Sequence, residues 1–249
     1  MLYGYGEIMT LLQSLAALLL GFIVQEAPNV REGTKDYADF KEDIGSMVEM
    51  HQRVATGNLV DKEFDVLLLS AVNYRESRMR LPAPQGDCRW GHKYDHLPSG
   101  SWPAGYKPKL ARVCNAVGPM QLNRGAGYQS QDWPEAKSAL PDARQWKPSD
   151  LVDIENNVRL AYVVLQHWKN TCRDADGTEA PMGVWLTAYR RGSCPTIGKS
   201  KRFYVDEEAK LRCKIANTLA TELRNDDGVV YSGTVEVPCT YKDEVAPRE

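Results

Sequence analysis

Between Ile8 and Val24 the chain runs IMTLLQSLAALLLGFIV, seventeen residues without a charge, preceded by Glu7 and followed by the polar stretch QEAPNVREGTKDYADFKE at 25–42. A run of that length stands at the lower limit for crossing a bilayer; it equally suits a helix docked into protein. A cleaved secretory signal fits poorly, because no Lys or Arg precedes the run and VQEAPNV after it is a poor cleavage sequence. The pattern then turns helical. Asp61 is placed to cap a helix on which Phe64, Leu68, Val72 and Glu76 follow at i+4 spacing, with Leu67 and Ala71 in the same stripe. Residues 80–114 are rich in Pro, Gly, Trp and Tyr and exceed an ordinary connection, which predicts a long irregular insertion of the functional kind. From Asp153 to Trp168 the apolar positions Val158, Ala161 or Tyr162, Leu165 and Trp168 again predict a helix, with acidic residues in its first turn. Further helices are predicted over Met182–Tyr189 and Val205–Leu223, and a short hairpin over Val229–Val237, turning at Ser232 and Gly233. The organisation implied is an apolar segment and linker at 1–42, a helical body at 43–225 and a C-terminal hairpin and tail at 226–249.

With 249 residues, 43% of them hydrophobic and 26% charged, the chain is long enough for a sizeable core and lies in the globular range. Thirty-one basic against thirty-three acidic residues give a net charge of −2, so nothing in the balance argues for nucleic acid as a partner. Six cysteines with no CxxC pair point to disulfides and hence to an oxidising destination. Cys172, Cys194, Cys213 and Cys239 allow three pairings among themselves, and the sequence does not choose.

One position carries unusual chemistry. Glu76 ends an apolar stripe, and burying a carboxylate is costly unless it is paired or protonated. The plainest explanation is an ion pair with Arg75, Arg78 or Arg80. Cys88, His92 and His96, with Asp95 alongside, have the residue types of a zinc site, but the Gly, Pro and Trp around them argue against the helix that would align them, and Cys88 could equally bond Cys114. No metal or cofactor is expected. Trp90, Tyr94, Trp102 and Tyr106 have the rings to stack on sugars or to form the insertion's own small core. Lys199, Lys201 and Arg202 read as a solvated face.

The order of motifs adds to this: Glu76-Ser77, then Gly118-Pro119-Met120-Gln121, then the Glu155-Asn156-Asn157 helix, then Trp185 through Ala188-Tyr189 to Gly192. Across roughly 55–220 that order resembles the soluble lytic transglycosylase (SLT) domain, a relative of goose-type lysozymes. The resemblance implies a mainly α, lysozyme-like fold and cleavage of the MurNAc–GlcNAc β-1,4 bond of peptidoglycan. Glu76 would be the acid/base, Met120 and Gln121 would line the sugar cleft, and Ser77 and Tyr189 would hold the Glu. A single carboxylate suffices when the substrate's own 6-hydroxyl attacks, giving a 1,6-anhydro end; Asp87 and Asp95 have no evident place opposite Glu76. Two departures stand out: Arg190 replaces an Asn usual in the family, and Pro119 a Leu. Arg190 beside the tyrosine could pair with Glu76 and disable it, so a non-catalytic structural or glycan-binding protein is one alternative and a goose-type hydrolase another. Either setting, a bacterial envelope or a bacteriophage virion, is consistent with the apolar N-terminus meeting a membrane or virion proteins.

Overall fold

The computed structural model describes residues 4–79, 86–92, 110–123, 133–143, 150–151, 153–174, 176–197, 202–225 and 231–241. They form a mainly helical protein. The helices are α1 (Gly4–Glu26), α2 (Lys35–Val54), α3 (Lys62–Ser77), α4 (Pro134–Ala139), α5 (Ile154–Thr171), α6 (Met182–Arg191) and α7 (Glu207–Asn225). The strands are β1 (Gly86–His92), β2 (Leu110–Val117), β3 (Leu122–Asn123), β4 (Thr196–Ile197) and β5 (Arg202–Phe203). Strands β1, β2 and β3 form an antiparallel sheet in that order, and β4 pairs with β5.

Helix α3 is the central element. Asp61 caps it, its Oδ1 accepting the Phe64 amide at 2.8 Å, and every residue from Phe64 to Tyr74 is buried. A helix buried on all sides must be wrapped by others. Helices α2 and α7 pack on it, α5 and α6 complete the core, and α1 lies along α2 and reaches α7. Leu11, Leu12, Leu15, Leu19, Leu20 and Ile23 of α1 are core residues, and the Phe22 ring meets Tyr74 of α3 edge-on at 6.0 Å. The apolar N-terminus is thus a docked helix, and no helix among the described residues is long and apolar enough to cross a membrane.

Two expectations are corrected. The insertion is not wholly irregular, because β1 and β2 pair antiparallel with Cys88 opposite Cys114. Cys88 and His92 therefore sit four residues apart on a strand, about 13 Å at 3.3 Å per residue, rather than on adjacent helical turns as a shared zinc ion would require. His96 and Asp95, with Tyr94, Trp102 and Tyr106, lie outside the described residues. At the C-terminus, residues 231–241 contain no strand, and Val229 and Val230 lie outside the described residues. Side chains take the backbone groups a partner strand would have taken: Asp61 accepts the Thr234 amide, Asn217 bonds both the amide and the carbonyl of Val237, and Glu63 accepts the Ser232 amide. The segment is a strap across α3, α6 and α7. Disulfides Cys213–Cys239 and Cys172–Cys194 fix this strap to α7 and the end of α5 to the loop after α6. Each closes a loop of the size for which cross-linking typically contributes about 3 kcal/mol. At Gly183 any Cβ would come within 2.1 Å of the Cys239 carbonyl oxygen, so only glycine lets the strap lie against the start of α6.

A buried polar chain ties α2 to α3. Ser77 Oγ donates to Asn73 Oδ1 at 2.6 Å, Asn73 Nδ2 donates to His51 Nε2 at 3.2 Å, and His51 Nδ1 meets Ser70 Oγ at 2.9 Å. With Nε2 accepting, the ring proton belongs on Nδ1 and the imidazole is neutral. Burial pushes His51 down to about 3 from 6.5. Below pH 6.5 the unfolded chain takes a proton that the folded chain refuses, so this contribution is complete above that pH. It falls by roughly 1.4 kcal/mol per unit as the pH drops toward 3. Urea unfolding of wild type and His51→Gln between pH 7 and 4 should show a steeper acid loss for wild type; equal slopes would refute it.

Candidate active site

Four segments distant in sequence meet at the C-terminal end of α3. Glu76 lies in its last turn, and the chain leaves the helix through Arg78 and Met79, both left-handed at φ 55° and 61°. The only other non-glycine residue in that region of φ among the described residues is Gln121, at 47°. Such residues cost about 1–3 kcal/mol each and gather at functional sites; here they border the Glu-Ser and Gly-Pro-Met-Gln motifs.

The 118–121 segment is a turn in which the Gln121 amide and its Nε2 both donate to the Gly118 carbonyl, at 3.0 and 2.8 Å. Asn157, buried on α5, holds the turn: its Oδ1 accepts the Met120 amide at 2.9 Å and its Nδ2 donates to the Leu151 carbonyl at 3.0 Å. Gly118 has φ 74°, and a Cβ there would lie 2.3 Å from the Asn157 amide group. Gly192, at φ 75°, has open space around it. Gly118→Ala should therefore cost about 1–3 kcal/mol and clearly more than Gly192→Ala; equal losses in thermal denaturation would show that Asn157 does not confine the turn.

Tyr189, on α6, ties this turn to the third motif by donating its hydroxyl to the Met120 carbonyl at 2.7 Å. Burial, reinforced by the Glu76 charge and opposed by Arg212, pushes the phenol well above its ordinary range. The hydroxyl remains a neutral donor.

Among the described residues Glu76 pairs with neither Arg75 nor Arg78, and Arg80 lies outside them. Arg212 of α7 donates from Nη2 to Glu76 Oε1 at 2.6 Å, with side chains 4% and 18% exposed respectively. Arg75 instead bonds Glu208, at 3.1 and 3.3 Å. Arg190 pairs with Asp206 at 3.3 Å, so the cation suspected of neutralising Glu76 is engaged elsewhere. Burial raises the Glu76 carboxyl above the usual range; Arg212 opposes this by charge and hydrogen bond, Arg190 opposes it by charge, and Glu208 adds a smaller upward push. The net direction is upward, towards a protonated acid.

The chain matches no protein-family model, no curated protein and no solved structure.

The expected site residues are thus brought together, though not in every expected role. Tyr189 and the Met120-Gln121 turn are bonded, and the Glu76 charge acts on Tyr189. The Met120 side chain is fully buried, so the turn's backbone and Gln121 are what it presents. Ser77 bonds Asn73, one turn back along α3, so its hydroxyl supports the helix end, not the Glu76 carboxylate. The sequence reading gives no role to Arg212, and none to Asn157 beyond its place in the Glu155-Asn156-Asn157 motif. Arg212 lies on the apolar stripe of Ala209, Cys213, Ala216 and Leu219, where a buried charge requires a partner; that position was the available signal.

Proposed function

We propose that the protein is a peptidoglycan-cleaving lytic transglycosylase with a lysozyme-like fold, acting in the bacterial envelope or from a bacteriophage virion. The observation that carries this reading is the junction of the three motifs: Glu76 is largely buried, and its charge acts on Tyr189, whose hydroxyl holds the Met120-Gln121 turn. A glycosidic oxygen needs a proton as it leaves, and a carboxyl raised by burial can still deliver one near neutral pH. Glu76 gives its proton to the oxygen that becomes the GlcNAc 4-hydroxyl, and the bond from that oxygen to the MurNAc anomeric carbon breaks. The resulting carboxylate takes the proton of the MurNAc 6-hydroxyl, whose oxygen bonds the same carbon. The 1,6-anhydro ring closes without water and Glu76 ends protonated. Gln121, at the rim of the turn, contacts sugar. The disulfides are consistent with work outside a reducing cytosol.

A second reading has one observation in its favour. The Arg212 pair stabilises the anionic form of Glu76, as expected of a glycan-binding or structural protein that has lost turnover. Digestion of purified peptidoglycan by the full chain separates these. Release of soluble muropeptides supports an enzyme, with hydrolysed reducing ends marking a goose-type lysozyme instead. Sedimentation with the wall and no release supports the binding protein.

A further inference from the structure

We propose that Arg212 is a positioning residue that acts through Glu76, stabilising the carboxylate on which the second half of the reaction depends. The inference rests on the reading of Glu76 as the acid/base.

A lone acid/base has to serve two opposite states, a carboxylic acid when the bond breaks and a carboxylate when the 6-hydroxyl is deprotonated. Burial at the end of α3 favours only the first. Left alone, the carboxylate formed by proton delivery would be an unpaired charge in a low-dielectric setting, and bond cleavage would run uphill. Arg212 supplies what the second state lacks. Its Nη2 is 2.6 Å from Glu76 Oε1, and the guanidinium is almost wholly removed from water.

The surrounding charges make this assignment specific. The charges that act on Glu76 are those of Arg212 and Glu208 from α7 and of Arg190 from α6, while Tyr189 of α6 feels the Glu76 charge and Arg75 precedes it in sequence. Arg75 is taken up by Glu208, Arg190 by Asp206, and the Tyr189 hydroxyl by the Met120 carbonyl. The Arg212 charge is not divided in this way. Its Nε and Nη1, both buried, have no hydrogen-bond partner among the described residues, so Glu76 is the only carboxylate there to which it bonds. The fold also fixes its place. Helix α7 packs more extensively on α3 than any other helix does, and the residue after Arg212 is Cys213, bonded to Cys239 of the strap.

The test is the protonation of Glu76 in the full-length protein, read directly by carboxyl carbon NMR with the resonance assigned by its loss in Glu76→Gln. In Arg212→Met the cation that pulls the carboxyl down is gone, so Glu76 should titrate about 1–3 pH units higher than in wild type. Arg212→Lys, which keeps the charge, should show little of that rise and titrate close to wild type. Arg212→Gln gives the same comparison with a polar side chain if Arg212→Met does not fold. On purified peptidoglycan the alkaline limb of the pH–rate profile should move upward by the same amount in the charge-removing variants, with a lower maximal rate. An unmoved Glu76 titration, or an activity loss that is uniform in pH and equal in Arg212→Lys and Arg212→Met, would overturn the assignment. If wild type leaves peptidoglycan intact, the enzymatic reading fails, and the NMR titration still reports whether Arg212 sets the charge of Glu76.

Discussion

Glu76→Gln is expected to lower muropeptide release from purified peptidoglycan by roughly a hundredfold or more, equivalent to about 2.7 kcal/mol of transition-state stabilisation. The substitution is nearly isosteric. A glutamine carbonyl oxygen can still accept the Arg212 Nη2 bond now made to Glu76 Oε1, so the helix end and the Tyr189–Met120 junction should persist. What is lost is the titrating proton. Stability should fall, because the almost fully buried Arg212 guanidinium keeps a hydrogen bond but loses its counter-charge. Measuring rate and thermal midpoint together separates chemistry from folding. Full activity in the variant would remove Glu76 from the mechanism, and a collapse of both quantities would show that the ion pair is mainly structural.

The second large effect is expected at the N-terminus. Leu15 and Leu19 are completely buried where α1 meets the rest of the core. Leu15→Ala should cost about 2–5 kcal/mol, the range for truncating a core leucine, against a total of about 5–15 kcal/mol for a typical protein. Leu15→Asp adds the burial of an unpaired carboxylate and should leave no stable folded protein at neutral pH. Urea midpoints report the first and loss of the cooperative transition the second. If α1 served only as an anchor, both variants would keep the wild-type midpoint.

The sequence pattern carried the helices further than the connections. Asp61 caps α3 as predicted, and Asp153, where the next predicted helix begins, caps α5, because a polar cap followed by an apolar stripe is a local signal that packing reinforces. The apolar run at Ile8–Val24 showed that something would be buried, yet its periodicity alone does not distinguish lipid from protein as the surrounding medium. The β1–β2 pairing was hidden by the Gly and Pro content of its surroundings, and pairing is a non-local property. For the strap at 231–241, alternating residues suggested a hairpin, but the partners turned out to be the side chains of Asp61, Glu63 and Asn217.

At the site the same division holds. Motif order pointed to Glu76, Met120, Gln121 and Tyr189, of which Tyr189 and the Met120-Gln121 turn are bonded and Tyr189 feels the Glu76 charge, while the partner of Glu76 was not legible. Arg75 and Arg190, near in sequence to Glu76 and Tyr189, find acids on or beside α7, and the distant Arg212 reaches Glu76. Which cation meets a buried acid is decided by how α3 and α7 pack, a tertiary fact that no window of the sequence contains. Asn157 is a similar case. Its neighbours in the stripe suggest core packing, whereas its amide holds the turn that bears Gln121.

The most direct measurement is mass analysis of muropeptides released from purified peptidoglycan by wild type and by Glu76→Gln. Wild type should yield products one water lighter than their hydrolysed counterparts, carrying 1,6-anhydro-muramyl ends, and the variant should yield almost none. Reducing-end products, equal release by the two proteins, or no release by either would contradict the account.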